Sequence, residues 1–246
     1  MTYVLVHGGG STGRFWDRVI PLLDAPSLAV DLPGRGAKPA DLATITVDDE
    51  VASVIADVET AGIVDPIVLV AHSSGGLVVP GVVAGLGGRV AHIVLNAALV
   101  PTEGGCGIDA MQPRHGEGLK LAVEHARSDG IVITLPGPPV DPEPTRKAYG
   151  GDPLDDDSLA FAVDPLRCVP DTINHYFQPV HWSQAADVPV TYVVNERDRP
   201  IPAALQAELI ARLPHPPTVV RLDGGHCPAI TDPGSLASVI RSVSPG

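Results

Sequence analysis

Six short runs crowded with valine, isoleucine and leucine constrain this chain most: TYVLV from Thr2, SLAVD ending at Asp31, IVLVA ending at Ala71, HIVLNA around Val94, VTYVV ending at Val194 and TVVRL ending at Leu222. Most lack the polar alternation of a half-exposed strand, as expected of parallel strands covered on both faces. Between them, apolar residues recur at helical spacing. Phe15, Trp16, Val19, Leu22 and Leu23 form one such set; Val47, Val51, Val54, Ile55 and Val58 form another, behind Thr46 as a candidate cap and acids suited to a helix N-terminus. Residues 75–87, 203–213 and 234–243 repeat the pattern. Strand and helix in alternation imply right-handed crossovers and an α/β fold: a doubly wound, mostly parallel six-stranded sheet flanked by helices.

The rhythm breaks between Leu99 and Ala186, where glycine and proline crowd into TEGGCG, LPGPPVDPEP and GGDPLDDD around short helical candidates at 116–127 and 156–163. So long a connection between two strands reads as an inserted cap rather than one loop. The expected division is a core of residues 1–98 and 187–246 with a substrate-binding lid of residues 99–186.

Charge narrows the partners. Sixteen Lys and Arg stand against 29 Asp and Glu, a net charge of −13, so the summed field repels phosphate backbones and anionic bilayers. No apolar stretch reaches the roughly 20 residues that span a membrane, and MTYVLVHGG lacks the basic start of a secretory signal, so the expectation is a cytoplasmic protein. Cys106, Cys168 and Cys227 are odd in number and widely spaced, which argues against a disulfide framework and a zinc site. No metal or cofactor is expected, and no oligomeric state is implied.

The stretch HGGGSTG after the first run has two readings. Gly8, Gly10 and Gly13 satisfy G-x-G-x-x-G with Asp31 downstream, as in a dinucleotide site, but the same glycines behind His7 suit the oxyanion loop of a hydrolase. None of the four tyrosines (Tyr3, Tyr149, Tyr176, Tyr192) has a lysine four residues on, as a short-chain dehydrogenase would require.

The stretch AHSSGG follows the third run, and there a strand passes abruptly into a helix. A nucleophile elbow needs small residues two before and two after its serine. Ser73 puts Ala71 and Gly75 at those places, whereas Ser74 would put the imidazole of His72 at one of them, so Ser73 is the better nucleophile. A serine hydroxyl needs a histidine to take its proton, and the histidine needs an acid to fix its tautomer. NERDRPIP after the fifth run and DGGHCPAITDP after the sixth supply Asp198 as acid, with Glu196 the weaker alternative, and His226 as base. For the oxyanion, the amides of Ser74 and Gly9 are the expected donors, with Gly10 as second choice.

These residues resemble the α/β-hydrolase fold superfamily, most closely its small plant methylesterase and hydroxynitrile lyase branch with bacterial relatives. The resemblance is carried by YVLVHGGGSTGRFWDRVIPLL, VDLPGRG, VLVAHSSGG, NERDRPIP and GGHCPAITDP, and leaves residues 99–186 uncovered. It implies an oxyanion loop, an elbow, an acid and a histidine at those segments, and it accounts for Asp31 without a ribose. Epoxide hydrolases and haloalkane dehalogenases of the superfamily attack with an Asp where Ser73 stands. Hydroxynitrile lyases carry Thr and Lys where this chain has Gly8 and Cys227.

The expected reaction is therefore hydrolysis of a carboxylic ester or lactone of a small, neutral, apolar molecule through an acyl-enzyme on Ser73. Acyl transfer by the same three residues, or slow turnover in a ligand receptor of the same fold, are the alternatives. Met111, Phe161, Tyr176, Phe177 and Trp182 are the candidate substrate contacts, with Ile131 and Ile133 among further apolar residues of the cap; packing of cap onto core is the competing role for each.

Overall fold

The computed structural model describes residues 1–128 and 132–243, so Ile131 and the last three residues of the expected core lie outside the described residues. In chain order it begins with β1 (Thr2–Val6), β2 (Ser27–Val30), α1 (Val47–Thr60), β3 (Ile67–His72), α2 (Val79–Leu86) and β4 (Val90–Asn96). A long excursion follows, with the two-residue strand β5 (Gly105–Cys106), α3 (Pro113–Ser128), β6 (Thr134–Leu135), α4 (Asp156–Val163), β7 (Asp171–Thr172) and β8 (Pro179–Val180). The chain closes with β9 (Val190–Asn195), α5 (Ala203–Ile210), β10 (Thr218–Leu222), α6 (Pro228–Thr231) and α7 (Pro233–Ser242).

The six apolar runs form one sheet in the order β10-β9-β4-β3-β1-β2, and every neighbouring pair is parallel. Every residue of β1 and β3 is buried. The pleat explains why both faces must be apolar. Val4, Val6, Leu69 and Ala71 face α1 and α2, where Val54, Val58, Val79 and Val82 meet them, while Tyr3, Leu5, Val68 and Val70 face Trp16, Leu236 and Ile240 on the other side. At about 1.5–3 kcal/mol for each large apolar side chain fully buried, these two layers dominate the stabilising side of folding.

Thr46 begins α1 with a capping box: its hydroxyl accepts the Asp49 N–H at 3.1 Å, and the Asp49 carboxylate accepts the Thr46 N–H at 2.9 Å. The expected helix over Phe15–Leu23 is different in kind. It forms two short 3₁₀ turns, Gly13–Trp16 and Ile20–Leu22, although Phe15, Trp16 and Val19 are still buried. Gly13 runs so close to β2 that a Cβ there would stand 3.1 Å from the carbonyl oxygens of Ala29 and Val30, and Pro21 starts the second turn. The side-chain period was helical, but the backbone is held too near the sheet edge for a regular helix.

Strands β4 and β9 are sheet neighbours, so the excursion between them leaves the sheet and returns beside its own exit. It is tied back at Tyr149–Gly151. The Tyr149 carbonyl accepts the N–H of His226 at 2.8 Å and of Arg199 at 3.3 Å, and the Gly151 N–H donates to the Arg197 carbonyl at 3.0 Å. Among the described residues no helix is long and apolar enough to cross a membrane.

Candidate active site

Strand β3 ends at His72, and the next residue, Ser73, has φ +52°, a left-handed conformation that costs a non-glycine residue about 1–3 kcal/mol. Surrounding structure holds it there: the Leu99 N–H donates to the Ser73 carbonyl at 2.9 Å. Small residues are needed because backbones converge. A Cβ on Gly75 would lie 2.6 Å from the His7 carbonyl oxygen, and one on Gly8 would lie 2.9 Å from the Ser73 Cβ.

The loops after β9 and β10 bring Asp198 and His226 to this turn. His226 Nδ1 donates to Asp198 Oδ2 at 2.7 Å, and His226 Nε2 stands 3.1 Å from Ser73 Oγ. Asp198 and His226 are both buried, and the second Asp198 oxygen accepts the Ile201 N–H at 2.7 Å. Ser74 is turned the other way, its side chain hydrogen-bonded to Tyr176. Glu196 pairs with Arg221 at 2.7 Å, away from His226.

The backbone of His226 is pinned on three sides. Its N–H donates to Tyr149, as above, and its carbonyl accepts both His72 Nε2–H at 2.9 Å and Asn195 Nδ2–H at 3.2 Å. Asn195 in turn accepts from Asn96 Nδ2 at 3.1 Å across the β4–β9 pair. His72 lies in AHSSGG and Asn195 opens NERDRPIP, while Asn96 belongs to no motif; all three sit at strand ends that parallel pairing brings together.

Gly8 and Gly9 pass directly over the turn at Ser73 and Ser74. A Cβ on Gly9 would stand 3.3 Å from Ser74 Oγ and 2.7 Å from the Tyr176 hydroxyl. Gly10 has its N–H committed to Asp171 Oδ2 at 2.7 Å, so that amide is not available to a substrate oxygen. Asp31, the residue a ribose would need, is likewise taken: its carboxylate accepts the N–H groups of Gly13 at 2.7 Å and Ala37 at 2.9 Å.

A cavity of about 90 Å³ adjoins Ser73 and His226, walled by Phe15, Tyr149, Phe161, Arg167, Cys168 and Ile230 among others. Of the five apolar residues expected at the substrate, Phe161 alone lines it. Met111 borders a separate open groove on α3, Phe177 a cleft beside Val123, and Trp182 is packed in the core against α2. Tyr176 is buried with its hydroxyl behind Gly9. The bulky residues of the excursion mostly pack it onto the core. Phe161 is instead held in place by the guanidinium groups of Arg167 and Arg18, 4.0 and 4.4 Å from its ring centroid.

Two further histidines stay neutral by burial. His7, fully enclosed, has its pKa pushed down to about 4 by desolvation and by the nearby Arg35 charge; its Nδ1–H donates to the Gly8 carbonyl at 2.8 Å. Its Nε2 accepts the Leu32 N–H at 3.3 Å. His72, stacked on Phe15 with ring centroids 4.7 Å apart, lies well below the ordinary histidine range, first from desolvation and then from the neighbouring His226.

The unfolded chain binds protons on both near pH 6.5 while the folded chain does not. Their stabilisation is therefore complete above pH 6.5 and lost as pH falls from there toward 4. For His7 alone that window is worth about 3 kcal/mol. Thermal unfolding at pH 5 should fall at least about 4 °C below that at pH 7.5. An unchanged melting temperature would contradict the buried neutral histidines.

Residues 3–239 match the model of the alpha/beta hydrolase family. The chain is 30% identical over 172 residues to esterase PIR7B of Oryza sativa subsp. japonica, covering 64% of this chain and 63% of that protein. It is 25% identical over 261 residues to putative methylesterase 11, chloroplastic, of Arabidopsis thaliana, covering 98% of this chain and 63% of the relative. The chain thus spans a little under two thirds of the length of these two curated relatives. Among solved structures, an extracellular alpha/beta-hydrolase from a Paenibacillus species, described as sharing structural and functional homology with tobacco salicylic acid binding protein 2, superposes with a TM-score of 0.81 at 19% identity, covering 100% of both chains. By its matched length and its sheet, this chain belongs to the α/β-hydrolase family.

Proposed function

We propose that this chain hydrolyses carboxylic esters or lactones of small, neutral, apolar molecules through an acyl-enzyme on Ser73. The observation that carries the reading is the continuous contact Asp198 Oδ2–His226 Nδ1 at 2.7 Å and His226 Nε2–Ser73 Oγ at 3.1 Å, at the carboxyl ends of parallel strands. The esterase and methylesterase names of the relatives agree with it.

In this mechanism Ser73 Oγ attacks the acyl carbon as His226 Nε2 takes its proton, and Asp198 keeps the other ring nitrogen protonated and facing it. Negative charge gathering on the carbonyl oxygen is met by the Gly9 and Ser74 amides. His226 returns the proton to the departing alkoxide. Water, deprotonated by the same nitrogen, then attacks the acyl-enzyme and frees the acid and Ser73.

Residues 99–186 act as the lid over this site. Tyr149, Phe161, Arg167 and Cys168 come from that segment and face Ser73 across the cavity. A space of about 90 Å³ is smaller than a cavity that takes up benzene, roughly 150 Å³, so it suits a short acyl or alkyl group.

A serine-directed fluorophosphonate followed by peptide mapping tests activation and location together. Modification of Ser73 is expected. Modification on Ser74, or none, overturns the proposal.

A further inference from the structure

Three glycines in a row, Gly8 to Gly10, have no Cβ to restrict their peptide planes; His7 Nδ1–H holds the Gly8 carbonyl at 2.8 Å, and with it the plane that carries the Gly9 N–H, but nothing in HGGG holds the next plane, hinged to it at the Gly9 Cα. Whatever orients that Gly9–Gly10 plane must come from outside the segment. The strongest hold is the charge-assisted bond from the Gly10 N–H to Asp171 Oδ2 at 2.7 Å.

Asp171 is fully buried and belongs to the inserted segment, not to the sheet. Its other oxygen accepts Arg35 Nε–H at 2.6 Å. Arg35, 1% exposed, also donates to Glu50 Oε1 at 2.7 Å, and the same oxygen meets His175 Nδ1 at 3.0 Å. The chain of contacts thus leaves the oxyanion loop, passes through the loop after β2 and the first turn of α1, and returns to the inserted segment. One residue beyond His175, Tyr176 places its hydroxyl between the two expected donors: it bonds the side chain of Ser74 and stands 2.7 Å from where a Gly9 Cβ would be.

We propose that Asp171 and Tyr176 are positioning residues for the oxyanion hole. Asp171, locked by Arg35, fixes the Gly9–Gly10 peptide plane, and Tyr176 sets the separation of Gly9 from Ser74. The inserted segment therefore completes the catalytic geometry of the core as well as covering it. A pin serving stability alone has no need to fall on the amide next to the donor, nor a buried hydroxyl to fall between the two donor residues. The inference rests on Ser73 being the nucleophile and on the Gly9 and Ser74 amides being the donors.

The test compares Asp171→Ala, Asp171→Asn and Tyr176→Phe with the wild type on p-nitrophenyl acetate, with active sites counted by fluorophosphonate and folding followed by thermal melting. Loss of one entire oxyanion donor costs about 10²- to 10³-fold; loss of its alignment in Asp171→Ala should cost about 10- to 100-fold in kcat, with KM within about threefold. Tyr176→Phe should lose about 3- to 10-fold, and Asp171→Asn should recover part of the loss because its amide oxygen still accepts from Gly10. Affinity for a trifluoromethyl ketone, which places an oxyanion in the hole, should fall in parallel with kcat/KM, while affinity for acetate stays put.

Folded variants with wild-type kcat, or with raised KM at unchanged kcat, overturn the positioning role. If Asp171→Ala does not fold, Asp171→Asn and Tyr176→Phe decide by the same measures. Full activity in Ser73→Ala would overturn the reading of the site and this inference together; loss of that activity with unmoved Asp171 and Tyr176 variants overturns the inference alone.

Discussion

Replacing Ser73 with alanine should lower kcat for ester hydrolysis by up to about 10⁶-fold, leaving roughly the 10³- to 10⁴-fold advantage over water that binding and the oxyanion amides supply without a nucleophile. No neighbour can take over. Ser74 is buried, bonded to Tyr176, and faces Gly9 rather than His226. His226 Nδ1 is committed to Asp198 Oδ2 at 2.7 Å, which leaves Nε2 facing Ser73 Oγ at 3.1 Å.

Stability should hardly move, because alanine at φ +52° is as strained as serine and the backbone bond from Leu99 to the residue's carbonyl is retained. A burst-free kcat against the uncatalysed rate, paired with a melting curve, separates the two quantities. Hydrolysis of p-nitrophenyl acetate undiminished in a folded Ser73→Ala protein would remove Ser73 from the chemistry.

The parts of this molecule legible from residue types are those where local pattern and tertiary environment demand the same thing. β1 and β3 are covered on both faces, so their runs carry no polar residue in the middle and their place in the sheet can be read directly. The turn at Ser73 is legible for a steric reason: a Cβ on Gly75 would lie 2.6 Å from the His7 carbonyl oxygen, and only a small residue fits.

Other parts depend on distances along the chain that no local pattern encodes. Arg35 meets Asp171 136 residues away, and Glu50 meets His175 125 residues away; each alone reads as a solvated surface charge. The cavity wall fails to be legible for a related reason. Phe161 and Trp182 are both bulky and apolar, yet one faces Ser73 and the other α2, a difference set by how the inserted segment folds back at Tyr149–Gly151. Periodicity misleads at Phe15–Leu23 because it reports which side chains are buried, not whether the backbone has room to coil.

The acid offers the other large expected effect, and it separates two carboxylates two residues apart. Asp198 accepts from both sides, the Ile201 N–H at 2.7 Å on Oδ1 and His226 Nδ1–H at 2.7 Å on Oδ2. An asparagine there has one oxygen and one NH₂ group. If its oxygen keeps the Ile201 bond, the NH₂ group faces His226 Nδ1 and selects the ring tautomer with the proton on Nε2, which cannot accept from Ser73. If its oxygen faces His226, the NH₂ group opposes the Ile201 N–H in a buried site, at about 1–3 kcal/mol for the unsatisfied donor.

The first arrangement is the lower in energy, so Asp198→Asn should fold and lose about 10⁴-fold in kcat. Glu196→Gln breaks only the pair with Arg221 and should change kcat less than about twofold. Near-normal turnover in Asp198→Asn, or a large loss in Glu196→Gln, would assign the acid to the wrong residue and with it the orientation of His226.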